Sequence, residues 1–471
     1  MKASRKILVL GSGFVSAGFV NYFVQHGETN VKLTIASNLV DQAQKLIDEF
    51  APEIGHAIFF DLKDEAANRK LIKEHDVVVS LLPATLHVVI AKLCVEEKKN
   101  MVTTSYISSE MAGLDAAAKA AGIIIMNEIG LDPGIDHCSA KAVFDDIHAR
   151  GGNVTGFVSY CGGLPAPENS RNPLGYKFSW NPRGVLTAAE APARFLWNGE
   201  VVEYDAGETY AHAIPQKQYP GFNLEGVANR DSIKYRELYD IPEAETVLRG
   251  TLRFPGFATM VLTFRALGLT DTTEYGDGAA PATWPALLSR VLNVPQDISS
   301  LRAAVEAKVQ ERFAGSQGRV KDALNGLQWF GVFLETTKVD LATRSPIDSL
   351  TSLLNAKLVY GKGERDLVIL THEFTYQLPD QPRSHGATGK QRKTSTLVLY
   401  GDPIGSHRAL TAMARCVGIP CAIATHLVLD GVITRTGVCG PMTPDLYKPL
   451  LASLAQNGIH LDEFEEDVVE S

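Results

Sequence analysis

Cysteine is scarce in this chain and long apolar runs are missing, and each shortage removes a class of protein. The six cysteines (Cys94, Cys138, Cys161, Cys416, Cys421 and Cys439) are scattered over 471 residues rather than spaced as a disulfide framework. Cys416 and Cys421 lie near His407 and His426, but their spacings match no common zinc motif. Free thiols in a reducing compartment, and no metal site, are the expectation. No stretch approaches the length of a transmembrane helix. The apolar run 7–10, directly after Met1-Lys2-Ala3-Ser4-Arg5-Lys6, is far too short for a secretory signal. A cytoplasmic protein is expected, an organellar matrix enzyme whose transit segment is missing being the alternative. Positive charge is also short: 45 Lys and Arg stand against 54 Asp and Glu, for a formal net charge of −9. That balance argues against a nucleic-acid binder, while leaving room for a local basic pocket that takes an acidic small molecule. No internal repeat is visible.

What the chain does have is ordinary globular composition, 45% hydrophobic and 21% charged, and enough length for two or three domains. Short Val- and Ile-rich runs at 7–10, 33–36, 57–60, 77–82, 101–104 and 122–126 alternate with polar, helix-period segments at 39–50, 65–74 and 86–97. Alternation at this spacing predicts an α/β fold, a Rossmann-type doubly wound parallel sheet covered on both faces. After Gly130 the rhythm changes. A strand is expected at 153–161, then a Pro/Gly/Asn-rich stretch to Gly175 of the kind that forms functional loops. Residues 280–357 read as a helical insert, 366–377 and 394–400 as paired strands. The intervening polar loop, 379–393, carries Lys390, Arg392 and Lys393, a basic cluster expected to be solvated. Helices are expected at 406–417, 421–429 and 444–456, before an acidic tail, 462–471.

Directly after the first strand comes Gly11-Ser12-Gly13-Phe14-Val15-Ser16-Ala17-Gly18. Two glycines there permit a tight turn and a close backbone approach to a pyrophosphate, and the next helix aims its N-terminal amides at the anion. The spacing departs from G-x-G-x-x-G, because Ser16 holds the third small position and Gly18 follows later. Its place between the first strand and the first helix nonetheless points to a dinucleotide. At the end of the second strand a carboxylate would select NAD and an arginine NADP; Ala36-Ser37-Asn38 offers neither, so Ser37 and Asn38 leave the choice open. Asp61, after the third strand, is placed to meet the adenine. Leu81 and Leu82 are placed beside the nicotinamide half, core packing being the competing reading for at least one of them.

The motifs at 11–15, Thr103-Thr104-Ser105-Tyr106, Asn127-Glu128-Ile129-Gly130-Leu131-Asp132-Pro133-Gly134-Ile135-Asp136-His137 and Tyr160-Cys161-Gly162-Gly163-Leu164-Pro165-Ala166-Pro167-Glu168 resemble a specific family. So do 172–180, Asn229-Arg230-Asp231-Ser232 and Arg249-Gly250-Thr251-Leu252-Arg253. The family is glutamate-forming saccharopine dehydrogenase, similar also to the C-terminal half of the bifunctional lysine-degrading enzyme. The resemblance covers nearly the whole chain, in order. It implies an oxidoreductase that reversibly converts saccharopine, oxidised nicotinamide cofactor and water into glutamate and aminoadipate semialdehyde. It implies three domains: a dinucleotide domain (1–130, with 405–471 packing back on it), a mixed α/β substrate and dimer domain (131–279 and 358–404), and the helical insert. A homodimer is the implied assembly. Fungal stand-alone members carry an arginine where this chain has Asn38 and use NADP; animal bifunctional members lack it and use NAD. The cofactor is therefore NADP or NAD.

Saccharopine carries three carboxylates around a secondary amine, and arginine suits carboxylates through bidentate pairing. The resemblance makes Arg230 the main carboxylate clamp, with Thr251 and Arg253 beside it; a surface ion pair is the bland alternative for any one arginine. Ser105 and Tyr106 follow the fifth strand at the end where α/β sheets bind ligands, and Thr104 precedes them on the cofactor side. Asp132 is either a helix N-cap before Pro133 or, by resemblance, a holder of the substrate ammonium. Candidates for proton transfer are Asp132, Lys177, Cys161 and His137, with bound water as a further possibility. Lys177 is equally a carboxylate anchor, and Cys161 a small polar wall. Competing readings are a sibling amino-acid or diamine dehydrogenase on the same scaffold and a non-catalytic dinucleotide-binding regulatory protein.

Overall fold

The computed structural model describes residues 4–27, 30–179, 182–217, 221–276, 279–379 and 387–469. The chain divides into two units, one made of Met1–Val154, Glu237–Pro242 and Leu370–Ser471, the other of Thr155–Arg236 and Glu243–Ile369.

The first unit opens with the alternating series β1 (Arg5–Leu10), α1 (Ser16–Gln25), β2 (Val31–Ser37), α2 (Val40–Phe50), β3 (Gly55–Phe59), α3 (Glu65–Lys73), β4 (Val77–Ser80), α4 (His87–Glu96) and β5 (Asn100–Thr103). It continues with α5 (Ser109–Ala112), α6 (Asp115–Ala121), β6 (Ile124–Met126) and α7 (Ile135–Ala149). The strands line up as β6-β5-β4-β1-β2-β3, with Gly437–Cys439 from the end of the chain added beside β6, and every pairing between them is parallel. Ile7 to Leu10 and Val77 to Val79 are fully buried, as expected of central strands covered on both faces. This is the doubly wound sheet the alternation predicts. Its order reverses between β1 and β4, and the C-terminal ends of those strands form the switch point where such sheets take ligands.

In the second unit come β7 (Asn153–Pro165), α8 (Pro182–Ala189), β8 (Ala193–Trp197), β9 (Glu200–Tyr204), β10 (Ile214–Gln216), β11 (Leu224–Ala228), α9 (Tyr235–Leu238) and β12 (Thr246–Arg253). β10, β11 and β12 are antiparallel neighbours, and β12 runs parallel to β7. Helices α10 (Phe257–Ala266), α11 (Trp284–Leu292), α12 (Ile298–Arg312), α13 (Gln317–Phe330) and α14 (Pro346–Lys357) follow. One apolar core, including Phe257, Phe264, Trp284, Leu301, Val305, Phe330, Leu350 and Leu354, joins the helical segment to α10.

The remaining elements are β13 (Asp366–Gln377), β14 (Ala387–Tyr400), α15 (Ile419–Leu429), β15 (Gly437–Cys439), α16 (Pro444–Gln456) and β16 (Asp462–Val469). Three expectations need correction here. β14 starts well before residue 394, so Lys390, Arg392 and Lys393 stand on a strand. The acidic tail is β16, antiparallel to β14, with Arg392 paired to Glu466 and Lys393 to Glu463. Cross-strand pairs of opposite charge favour this ladder, and neither segment's own pattern reveals them. The helix expected over 406–417 starts late: turns around Pro403 and Gly405 (φ 88°) hold its first residues, and helix begins at residue 412. Among the described residues no helix is long and apolar enough to cross a membrane.

Candidate functional site

The switch point of the first unit is built around Gly11. Its N–H donates to the Ala36 carbonyl at 2.9 Å, and the Leu81 N–H donates to the Leu10 carbonyl at 2.9 Å, so the loop leaves β1 clamped between β2 and β4. Gly11 holds φ at 107°, where a Cβ would lie 3.0 Å from the Leu81 carbonyl oxygen. A Cβ on Gly13 would meet no protein atom within 4 Å. Helix α1 starts without a side-chain cap and without an acidic residue in its first turn, so no carboxylate opposes the positive end of its dipole at the loop. These features fit a dinucleotide pyrophosphate.

Gly18, out of step with the usual fingerprint, serves packing instead: a Cβ there would stand 1.9 Å from the Ala414 carbonyl oxygen. Gly418 answers it, since its Cβ would meet the Val15 carbonyl at 2.4 Å. The pair lets α1 lie against the π-helical turn Ala414–Gly418 that leads into α15.

The other expected cofactor residues surround the same strand ends. Ser12 donates its hydroxyl to Ser37 Oγ at 3.0 Å, and Ser37 Oγ accepts from the Leu39 amide at 3.1 Å, which ties the glycine loop to the end of β2. Asn38 is exposed beside it. Phe14 is 66% exposed, and Val15 is half-buried. Asp61 is exposed after β3, where its carboxylate accepts from the Lys63 amide in its own turn. Leu81 and Leu82 are half-buried, and Leu82 packs on the apolar core, as one of the two was expected to. Thr104 lies against Gly130, 3.5 Å from the place a Cβ would take.

Beyond β5, Tyr106 donates its hydroxyl to Asp132 Oδ1 at 2.7 Å. The residue at the N-cap of α7 is Gly134, and no side chain caps the helix; the capping reading of Asp132 therefore falls. The loop closes on itself through the Gly130 amide to the Pro133 carbonyl and the Ile135 amide to the Gly130 carbonyl, both 2.9 Å. Gly134, at φ 147°, is required because its Cβ would lie 2.1 Å from the Gly130 oxygen.

Beneath this loop sequence reasoning named His137 but missed its neighbours Glu128 and Tyr239. Glu128 is buried with φ 63°, accepts from the Ile107 amide at 3.0 Å, and lies 3.5 Å from His137 Nε2. His137 Nδ1 in turn lies 2.7 Å from the Tyr239 hydroxyl. His137, a candidate for proton transfer, is 0% exposed and braced within the protein. His87 was also missed. It opens α4, with Nδ1 2.8 Å from Ser80 Oγ and Nε2 2.9 Å from Ser105 Oγ. Burial pushes its imidazole down to about 4, so it is neutral at physiological pH. A lone histidine after a Ser-Leu-Leu-Pro run carries no signal that would have found it.

In the second unit, Thr251 on β12 stands in register with Cys161 on β7 and Val227 on β11. Cys161 is buried and Thr251 half-buried. Arg253, two residues on, is 7% exposed, with its guanidinium 5.1 Å from the Tyr176 ring and 4.8 Å from the Phe257 ring. Its Nη1 donates to the Leu252 carbonyl at 2.8 Å, and its Nε has no partner among the described residues. A buried cation lacking a carboxylate is costly, and the two aromatic faces offset only part of that cost. The local potential favours an anionic ligand. Arg230, in the left-handed region at φ 52°, is exposed just beyond β11, with no carboxylate in ion-pair range among the described residues. Lys177 is engaged elsewhere: its ammonium pairs with Glu364 and donates to the Val359 carbonyl at 3.2 Å. Trp180, part of the motif at 172–180, lies outside the described residues.

Residues 7–126 match the family described as saccharopine dehydrogenase NADP binding domain, and residues 130–459 match saccharopine dehydrogenase C-terminal domain. The chain is 41% identical over 97% of its length, and 98% of the relative's, to saccharopine dehydrogenase [NADP(+), L-glutamate-forming] of Schizosaccharomyces pombe. It is 39% identical to mitochondrial alpha-aminoadipic semialdehyde synthase of Mus musculus, covering 98% of this chain and 48% of that one. Among solved structures, the apo, histidine-tagged saccharopine dehydrogenase (L-Glu forming) from Saccharomyces cerevisiae aligns with a TM-score of 0.86 at 36% identity, over 98% of this chain and 100% of that one.

Proposed function

The chain belongs to the saccharopine dehydrogenase family, and on that premise we propose that it oxidises saccharopine to L-glutamate and L-2-aminoadipate 6-semialdehyde, reversibly, in lysine metabolism. The observation that carries the reading is full-length similarity to glutamate-forming enzymes. Arg230 and Arg253, without a carboxylate partner among the described residues, add chemical support, because they suit a substrate with three carboxylates.

A bound nicotinamide dinucleotide supplies the hydride acceptor. Gly11, Ser12, Gly13 and the first turn of α1 would hold its pyrophosphate, and Ser37 and Asn38 its adenosine ribose. NADP is the proposed cofactor. The relatives named NADP(+)-dependent support it, and so does the end of β2, where Ser37 and Asn38 place hydrogen-bond donors and no carboxylate that would repel a 2′-phosphate.

In this reading Arg230, Thr251 and Arg253 bind substrate carboxylates. Ser105 donates to an inner carboxylate, and Asp132, oriented by the Tyr106 hydroxyl, holds the substrate ammonium. Cys161 forms a small polar wall beside Thr251. The amine proton leaves to bound water as the carbon on the aminoadipate side of the nitrogen gives up its hydride; water then adds to that imine carbon, whose C–N bond breaks to release glutamate and leave the semialdehyde. The test is absorbance at the reduced-nicotinamide band with saccharopine, NAD and NADP being offered separately. Turnover with NADP preferred supports the reading. Silence with both, from folded protein that binds cofactor, overturns it.

A further inference from the structure

The buried imidazole between the two central strand ends has a proton arrangement that the surrounding hydroxyls dictate. Ser80 and Thr103 are 0% exposed and His87 is 2% exposed, so no bulk water serves them. A neutral imidazole offers one donor and one acceptor, and which nitrogen is which must be read from its partners. Ser80 Oγ has His87 Nδ1, at 2.8 Å, as its side-chain partner among the described residues. If Nδ1 carried the proton, the Ser80 hydroxyl hydrogen would be buried with no acceptor, which costs the full desolvation of a donor. Ser80 therefore donates, Nδ1 accepts, and the proton of the ring sits on Nε2.

Thr103 Oγ1 lies 3.1 Å from Nε2 and accepts a share of its proton, while the one lone pair of Nδ1 goes to Ser80 at 2.8 Å rather than to Thr103 at 3.4 Å. Nε2–H then donates to Ser105 Oγ at 2.9 Å. With its oxygen accepting from His87, the Ser105 hydroxyl has its own hydrogen left to point away from the ring. Ser105 is half-exposed on the loop after β5, next to the Tyr106 that grips Asp132. His87 also opens α4, whose N-terminal dipole disfavours an imidazolium there.

We propose that His87 is a positioning residue: held by Ser80 as the Nε2–H tautomer, it turns the Ser105 hydroxyl hydrogen outward as a donor for a substrate carboxylate. This rests on the reading of Ser105 under the proposed function. It adds a residue that touches neither substrate nor cofactor yet sets the polarity of one that does.

Two measurements test it. In protein carrying ¹⁵N-labelled histidine, the long-range ¹⁵N–¹H pattern of the resonance that H87Q removes should report the Nε2–H tautomer at neutral pH. An Nδ1–H pattern or an imidazolium overturns the proposal without reference to activity. The second is a double-mutant cycle. S105A should raise the saccharopine KM about tenfold or more, the loss expected for one hydrogen bond to a carboxylate. H87F should produce most of that loss, and H87F with S105A no more than S105A alone. H87Q, which keeps a donor amide, should recover much of it, with cofactor affinity by fluorescence unchanged throughout. Additive losses overturn the coupling through Ser105 and leave the proposed function standing. An unchanged KM in S105A removes Ser105 from the substrate site and sinks both statements about it. Should H87F fail to fold, the tautomer measurement and H87Q decide the matter.

Discussion

Gly13→Ala and Gly18→Ala add the same methyl group to neighbouring turns of one motif, yet the geometry assigns them opposite consequences. At Gly18 the new Cβ would lie 1.9 Å from the Ala414 carbonyl oxygen, and the nearest atoms there are backbone that cannot rotate away. Relieving that overlap moves α1 off the Ala414–Gly418 turn by more than an ångström, an overpacking cost of about 3 kcal/mol. Replacing glycine by alanine inside a helix returns about 1 kcal/mol. The net loss of about 2 kcal/mol should lower Tm by about 4–8 °C for a domain of this size. At Gly13 a Cβ meets nothing within 4 Å, so Tm should stay within about 1 °C of the parent, a surface-substitution effect. The methyl would instead occupy the approach of the pyrophosphate, weakening cofactor binding by about tenfold or more, or about 1.4 kcal/mol. Differential scanning calorimetry without cofactor and a fluorescence titration with it separate the two quantities. A destabilised G13A with unchanged cofactor affinity, or a G18A as stable as the parent, would refute the division of labour drawn between these glycines.

His87 has its folded-state value pushed from 6.5 to about 4 by burial, so between those values the unfolded chain binds the extra proton; stability is complete above pH 6.5 and falls as pH drops towards 4, by about 3 kcal/mol from this group. H87Q removes that component, and urea midpoints should fall less steeply with acid in H87Q than in the parent; parallel curves would show that His87 is not buried neutral. Lys177→Met leaves Glu364 and the Val359 carbonyl without their ammonium donor, so stability should drop by about 1–2 kcal/mol while kcat is kept. A kcat reduced a hundredfold or more in a stable K177M protein would restore Lys177 to the chemistry.

The order of reliability among the expectations follows the range of the interactions behind them. The first six strands lie where the short apolar runs do, and the central ones, β1 and β4, show most clearly because both of their faces are covered. Helix α16 was expected over the same residues it occupies, with Thr443 and Pro444 at its start. Asp132 shows where such reading stops. Asp-Pro-Gly before a helix has the form of a cap, and only the approach of Tyr106 from another strand end shows the carboxylate engaged in a different direction. β14 and β16 make the same point for backbone, since a basic and an acidic segment, each polar enough to pass for loop or tail, become strands by pairing with each other.

By itself the sequence determined the parallel sheet, the glycine turn at its centre and the family, because strand periodicity, turn chemistry and long motifs are written in neighbouring residues. The tertiary structure alone decided what Gly18, Glu128, His87 and Arg253 do. Their partners are Ala414, His137, the Ser80–Ser105 pair and the rings of Tyr176 and Phe257. Each of those contacts depends on which atoms are close in space, and on burial that removes water as an alternative partner. A hydrogen bond, a desolvated charge or a backbone collision is set by distance through space, which the chain acquires only once it has folded.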